Sequence, residues 1–247
     1  MADAISAFKE AFDSYKRSLT DYAVYSVVMM FSWMAISFSL LAVIIMLGVV
    51  SAGSAVNLAG SAGNLSGAIV GLGATMLVLF LGLLVFSWVA AGLSGAYLET
   101  LNMFQSGRKQ TFGGFFSAVP KRATVLFSIS LVSAICVFII STLFGFLSSL
   151  VGGIPGLAIF AFGTLLSAII SLLFFLAVPA AIVENRGAVS AIKSSFSKVP
   201  RNIVGVVLYL IIAAILFFPS LLTVIGVVLF WLPMSQGALL LLYKKSK

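Results

Sequence analysis

No charged side chain occurs in residues 123–183, which read ATVLFSISLVSAICVFIISTLFGFLSSLVGGIPGLAIFAFGTLLSAIISLLFFLAVPAAIV. Two further stretches, 22–98 and 202–243, are also free of charge. The chain is 62% hydrophobic and 8% charged, with a mean hydropathy of +1.25, whereas soluble domains carry roughly 25% charged residues. Lipid can solvate such a surface and water cannot, so the sequence predicts a polytopic membrane protein.

The three uncharged stretches have room for six membrane spans. A spanning helix takes about 20 apolar residues, and each stretch is divided by small or turn-forming residues: 51–67, Gly152-Gly153-Ile154-Pro155-Gly156 and Pro219-Ser220. We therefore predict an all-α bundle of six transmembrane helices. The predicted spans are 22–50, 68–98, two within 123–183, 203–218 and 221–243. For the last two, a re-entrant hairpin is the alternative.

The charged residues fall into four windows, 3–21, 99–122, 184–201 and 244–247. Six spans place all four windows on one side, together with all 14 Lys and Arg residues. The positive-inside rule makes that side cytoplasmic, so we expect a multi-pass protein of the cell membrane with both termini in the cytoplasm. The net charge of +8 lies beside the spans, which favours anionic lipid headgroups over nucleic acid as the counter-charge.

Three similar segments each precede a predicted hairpin of two spans. They are 5–12 (ISAFKEAF), 116–121 (FSAVPK) and 189–196 (VSAIKSSF). We interpret them as interfacial amphipathic helices in three repeat units, approximately 1–98, 108–183 and 187–243, within one membrane domain. Pro120 and Pro200 are predicted to end the second and third of these helices. Chance similarity in a sequence rich in Ser, Ala and Phe is the alternative.

The first interfacial segment has an apolar stripe at helical spacing, formed by Ile5, Phe8, Phe12, Tyr15 and Leu19. We expect such stripes to rest at the headgroup boundary, with neighbouring Lys and Arg side chains on anionic lipid. The candidate lipid contacts are Phe8, Lys9, Phe12, Lys16, Arg17, Phe116, Lys121, Arg122, Lys193, Phe196, Lys198 and Arg201.

Residues 178–196, VPAAIVENRGAVSAIKSSF, resemble a run found in the membrane domain of glycerophosphoryl diester phosphodiesterases and in related six-span bacterial and archaeal proteins. The shared pattern is a Pro, a Glu, a Gly and then an amphipathic Ala/Ser helix that enters the next span. The resemblance implies a six-span helical bundle over nearly the whole chain. In those phosphodiesterases the chemistry belongs to a separate soluble domain, and we expect none here.

The sequence offers little for catalysis. It contains no His, and none of its six carboxylates lies deep in a predicted span. Intramembrane proteolysis by paired acids, an H-E-x-x-H zinc site and clustered acids for metal-dependent chemistry are therefore all missing. A Ser–Lys dyad is formally open, but every Lys lies at the membrane margin. We expect no enzyme, no cofactor and no metal site.

Glu99, Glu184 and Gln236 are the candidate polar or gating residues. The two acids end the second and fourth spans, where they would bind a cation or gate an entrance, or else form local ion pairs. Gln236 lies beside Ser235 and Pro233 in the last span, where it would bind a solute or join helices by hydrogen bonds. Pro179 and Pro233 would kink their helices, or be tolerated without consequence.

Two functions follow from these patterns. The first is a non-enzymatic scaffold or accessory protein that interacts with lipids or a cytoplasmic partner. The second is a channel or facilitator for a small neutral or weakly polar solute. Gly63, Gly67 and Gly71 have the spacing of close helix packing and suggest a homo-oligomer, and Asn64 begins a glycosylation sequon.

Overall fold

The computed structural model describes residues 4–60, 65–223 and 226–246. These residues form helices and short connections, without a strand. The elements, in chain order, are α1 (Ala4–Arg17), α2 (Leu19–Gly60), α3 (Leu65–Gln105), α4 (Phe112–Val151), α5 (Gly153–Phe174), α6 (Ala177–Val183), α7 (Ala188–Arg201), α8 (Ile203–Ser220), a π-helical turn (Val227–Trp231) and α9 (Leu232–Lys245).

Within the described parts of the chain, six helical segments are long and apolar enough to cross a membrane. They are Leu19–Ala42, Met76–Gln105, Phe112–Val151, Gly153–Val183, Ile203–Ser220 and Val227–Lys245. The prediction of an all-helical multi-pass membrane protein is confirmed. Residues 203–245 supply two segments of spanning length, which favours two full spans over the re-entrant hairpin.

The predicted loop at 51–67 is wrong over most of its length. Residues 51–60 continue α2, and residues 65–67 already belong to α3. The segment is rich in Ala, a strong helix former, and contains no Pro to interrupt the helix. Gly63 and Asn64, on which the oligomer and glycan predictions drew, lie outside the described residues.

Pro120 does not end a helix as predicted, because α4 runs unbroken from Phe112 to Val151. Proline removes one backbone donor, yet a helix can continue past it when the loss is local. Thr111 caps the start of α4 by accepting a hydrogen bond from the Gly114 N–H at 3.1 Å. The second similar segment is therefore the charged extension of a spanning helix. Pro200, in contrast, lies in the last turn of α7, as predicted.

The predicted turn at 152–156 is present and very tight, since α5 begins two residues after α4 ends. Gly152 and Gly153 both have positive φ angles, of 65° and 57°, which residues with a Cβ rarely adopt. The two helices then pack closely. A Cβ at Gly163 would overlap the Cβ of Phe144, so only glycine fits there.

The packed core lies at the end of the bundle where the charged windows meet. Its largest fully buried side chains include Tyr22, Tyr97, Phe115, Leu176 and Tyr243. Farther from this end, the described span residues leave large apolar side chains exposed, among them Phe38, Phe138, Leu150, Phe160 and Phe218. The core therefore fixes the charged end, and the rest of the surface is suited to lipid.

Candidate functional site at the charged face

The fourth span is broken near the charged face, and a serine on another helix closes the break. α5 ends at Phe174 and α6 begins at Ala177. Pro179 has no N–H to give the Phe175 carbonyl, which removes the α-helical bond at this point. The fully buried Ser195 hydroxyl accepts from the Leu176 N–H (3.1 Å) and donates to the Leu173 carbonyl (2.6 Å). This pair of hydrogen bonds fastens α7 to the break.

Residues 184–187 connect two polar networks. Asn185 has a φ of 51°, a left-handed conformation that Asn tolerates better than most residues. Its side-chain oxygen accepts from Arg122 Nη1 at 2.8 Å, while Arg122 Nε donates to Glu99 Oε2 at 2.7 Å. Helix α3, helix α4 and the 184–187 connection are thereby joined through one guanidinium group.

Glu184 begins the second network. Its carboxylate pairs with Lys198 (3.2 Å) and with Arg186, and the Lys198 ammonium lies 3.7 Å from the ring centroid of Tyr243 in α9. Burial favours a higher pKa for Glu184, but hydrogen bonds from Tyr243 and Lys198 and the charges of Lys198 and Arg186 outweigh it and lower the pKa. The carboxylate is held ionised as part of the packing, and its geometry is that of a local ion pair.

Helix α1 is bound to the last two spans by a third set of contacts. Lys245 donates to Glu10 and to the Ser6 hydroxyl, and the Phe8 ring stacks on Tyr209 of α8 with centroids 5.3 Å apart. The Tyr15 hydroxyl donates to the Leu229 carbonyl at 2.6 Å. Burial raises the pKa of Tyr15, so its hydroxyl stays a donor over the physiological pH range.

A polar cavity of about 400 Å³ lies between α1, the end of α3 and α9. Its lining residues are Glu10, Asp13, Ser14, Arg17, Ser18, Phe104, Gln105, Gly107 and Leu241. Gln105 is fixed at both ends of its amide, since it donates to the Gly237 carbonyl (2.8 Å) and accepts from Lys244 (3.2 Å). The cavity therefore has one rigid polar wall and a mixture of both charges.

Among the cavities that the described span residues line, two bear on function. A groove of about 630 Å³ between α2 and α3 is lined mainly by aliphatic and aromatic side chains, with Ser39 and Gly82 among them. A cavity of about 430 Å³ lies between α4 and the broken fourth span, where Ser130, Ser133 and Ser171 face it beside Phe175. The first suits an acyl chain, and the second offers hydroxyl groups at membrane depth.

The structure places the predicted site residues in two groups. Phe8, Arg122 and Lys198 make the internal contacts given above, and the Lys16 ammonium lies 4.2 Å from the ring centroid of Phe12. Phe196 is partly exposed, and its ring makes a T-shaped contact with that of Phe174. The remaining candidates are exposed at the charged face: Lys9, Arg17, Phe116, Lys121, Lys193 and Arg201.

The three polar candidates are only partly brought together. Glu99 and Glu184 lie in networks that meet at the neighbouring residues Glu184 and Asn185. Gln236 is half-buried in α9 and belongs to neither network among the described hydrogen bonds. Sequence reasoning missed Ser195, Asn185 and Tyr243. Asn185 had a usable signal, since Asn before Arg-Gly favours a turn, whereas Ser195 and Tyr243 carry none.

Among the residues described, no group of three or more His, Cys, Asp and Glu side chains could hold a metal ion. Comparisons of this chain with protein-family models, with curated proteins and with solved structures found no match.

Proposed function

We propose that this chain is a non-enzymatic scaffold or accessory protein of the cell membrane, which binds anionic phospholipid at its charged face. The carrying observation is the set of exposed cations there. Lys9, Lys121, Lys193 and Arg201 are exposed and form no ion pair with another described residue. The acids Glu10, Glu99 and Glu184 are occupied by other cations, so these four remain available to headgroups.

Exposed apolar side chains accompany the exposed cations. Ile5 is one turn from Lys9 in α1, and Val189 is one turn from Lys193 in α7, with exposed fractions of 64% and 75%. Phe116 is likewise exposed near Lys121 in α4. An aliphatic or aromatic group beside a cation is the arrangement expected at a headgroup boundary, where the first enters the acyl region and the second meets phosphate.

The same pattern of exposure supports the proposed repeat. Aligning 5–12 with 189–196 pairs Ala7 with Ala191 and Ala11 with Ser195, and all four are buried. Ile5 and Lys9 correspond to Val189 and Lys193, and these are exposed. We propose that α1, the start of α4 and α7 are interfacial elements of three repeat units, and that the face they share is cytoplasmic, as the positive-inside rule requires.

Lipid selectivity tests this proposal. Phosphatidylglycerol binding to the detergent-solubilised chain is measured by native mass spectrometry, with phosphatidylcholine of the same chains as reference. Each Lys near a membrane surface contributes about 1 kcal/mol towards anionic lipid, so the triple variant Lys9→Gln, Lys121→Gln, Lys193→Gln should lose about a hundredfold of the preference. The matched triple Lys→Arg variant keeps the charge and should keep the preference. An unchanged preference in the Gln variant would overturn the proposal.

The serine-lined cavity favours one alternative, a facilitator for a small neutral or weakly polar solute. Ser130 and Ser133 lie 8 and 11 residues beyond Arg122, which is about 12 to 17 Å along a helix axis, and they face a broken helix. Broken spans that line a cavity are used as solute sites in transporters. Liposome flux of urea and glycerol decides between the two functions: flux above that of empty vesicles, and lost in Ser133→Leu, replaces the scaffold with the facilitator.

A further inference from the structure

The polar cavity between α1, the end of α3 and α9 presents one available charge of each sign. Glu10 is paired with Lys245, and Gln105 is engaged at both ends of its amide. Asp13 and Arg17 remain, and neither forms an ion pair with another described residue. The two unpaired side chains give the cavity a net charge of zero, with the negative charge on Asp13 and the positive charge on Arg17.

The absence of a bond between these two poles is itself informative. Asp13 and Arg17 stand four residues apart on α1, the spacing at which acidic and basic side chains readily pair on a helix. In this structure they do not pair within the described residues, and both line the cavity. Each is available to an oppositely charged group placed between or above them.

We infer that this cavity binds a zwitterion that joins an ammonium group to a phosphate, the chemistry of a phosphoethanolamine group. The Asp13 carboxylate accepts hydrogen bonds from the ammonium, and the planar Arg17 guanidinium donates to two phosphate oxygens. A ligand with only negative charge would be repelled by Asp13, and a ligand with only positive charge would be repelled by Arg17. The two side chains together therefore favour a ligand that carries both charges.

The size and position of the cavity agree with this ligand. Its volume of about 400 Å³ lies at the small end of the range of roughly 300 to 1,000 Å³ for small-molecule sites, which suits a headgroup and not a whole lipid. Phe104 and Leu241 supply an apolar edge for the two methylene groups. Because α1 immediately precedes the first span, the cavity lies at headgroup level. The inference is independent of the anionic-lipid proposal, which uses other side chains.

Binding is measured with two probes on the full chain in detergent. Phosphatidylethanolamine is compared with phosphatidylcholine of identical chains by native mass spectrometry, and free O-phosphoethanolamine is titrated by calorimetry. Methylation removes all three ammonium N–H donors, so we expect at least a tenfold preference for phosphatidylethanolamine. Binding of both probes identifies the zwitterion itself as the ligand, whereas binding of the lipid alone identifies the membrane as its source.

Matched variants separate the cavity from general electrostatics. Asp13→Asn and Arg17→Gln should each weaken binding about tenfold. The controls Asp21→Asn and Lys109→Gln make the same charge changes at positions that do not line the cavity, and they should bind as the wild type does. Equal affinity for the two lipids, or equal losses in variants and controls, overturns the inference. Phosphatidylglycerol binding is recorded alongside, so a failure of the anionic-lipid proposal is seen separately.

Discussion

Replacing Tyr15 with Phe tests how α1 is held against the last span. The Tyr15 side chain is 9% exposed, and its hydroxyl donates to the Leu229 carbonyl at 2.6 Å. Leu229 lies in the π-helical turn, where an α-helical bond to its carbonyl would need an N–H from Pro233, four positions on, and proline has none. The tyrosine hydroxyl of α1 therefore takes the place of a missing backbone donor in the last span.

The size of the effect follows from this substitution of donors. Tyr15→Phe deletes one neutral hydrogen bond and leaves the half-buried Leu229 carbonyl without this donor, which costs about 1 to 3 kcal/mol. In a Pro233→Ala background, the backbone regains an N–H at that position, which can supply the Leu229 carbonyl. Tyr15→Phe should then cost about 1 kcal/mol less than it does in the wild type, a coupling energy of the size found for groups in contact.

The assay is a double-mutant cycle. The free energy of unfolding is measured for the wild type, both single variants and the double variant by titrating dodecyl sulfate into mild detergent micelles, with far-ultraviolet circular dichroism as the signal. Equal costs of Tyr15→Phe in the two backgrounds would refute the argument, because they would show that the hydroxyl does not compensate for the proline.

Three further predictions concern the break, the ion pairs and the hairpin. Ser195→Ala leaves the Leu176 N–H and the Leu173 carbonyl without their shared partner and should lower the free energy of unfolding by about 2 to 4 kcal/mol. The control Ser197→Ala, at an exposed position of the same helix, should change it by less than about 0.5 kcal/mol. Similar values for the two variants would contradict the role of Ser195. The pKa of Glu184 is lowered from the ordinary 4.5, so the stabilisation by its carboxylate is fully present above that pH and is lost as the pH falls through the lowered value. Glu184→Gln should therefore reduce the loss of unfolding free energy between about pH 6 and pH 3. A loss as steep as that of the wild type would show that Glu184 is not its cause. Gly163→Ala should lower the midpoint of thermal unfolding, because the new methyl group overlaps Phe144 at a cost of about 1 to 3 kcal/mol. In the control Gly145→Ala the new methyl group has no atom within 4 Å, so the midpoint should stay unchanged or rise. Equal shifts in the two variants would mean that the α4–α5 hairpin adjusts without cost.

Most of the fold that could be predicted from the sequence followed from the positions of the charged residues. Membrane spans must be largely uncharged, so the number and order of the apolar segments could be predicted from residue type alone, whereas the helices run past the uncharged stretches, to Gln105 in α3 and from Phe112 in α4. The turn at Gly152 was also predictable, since two glycines followed closely by Pro155 can hardly continue a helix. These signals are local, because the residue types of a segment depend on whether lipid or water surrounds it.

Other features depended on contacts that a local pattern does not record. Residues 51–60 contain turn-forming types, yet they extend α2, and Pro120 lies within α4. The stripe expected to face lipid is divided: Phe8 and Tyr15 pack inward, while Ile5 and Leu19 stay exposed. Tertiary packing determines which side of α1 is buried. Its partners Tyr209 and Leu229 lie about 200 residues further along the chain, so no local sequence pattern could predict these contacts.

The contact between Tyr15 and Leu229 also constrains the order of biosynthesis. Its two residues are 214 positions apart, so a ribosome makes α1 long before the segment on which α1 docks exists. Until then α1 has only α2, α3 and the membrane surface to cover its apolar side chains, and its contacts with α8 and the last span form after the last hairpin has left the translocon. A nascent chain arrested before residue 229 should therefore hold α1 in a state open to proteases, and release of the arrest should close it.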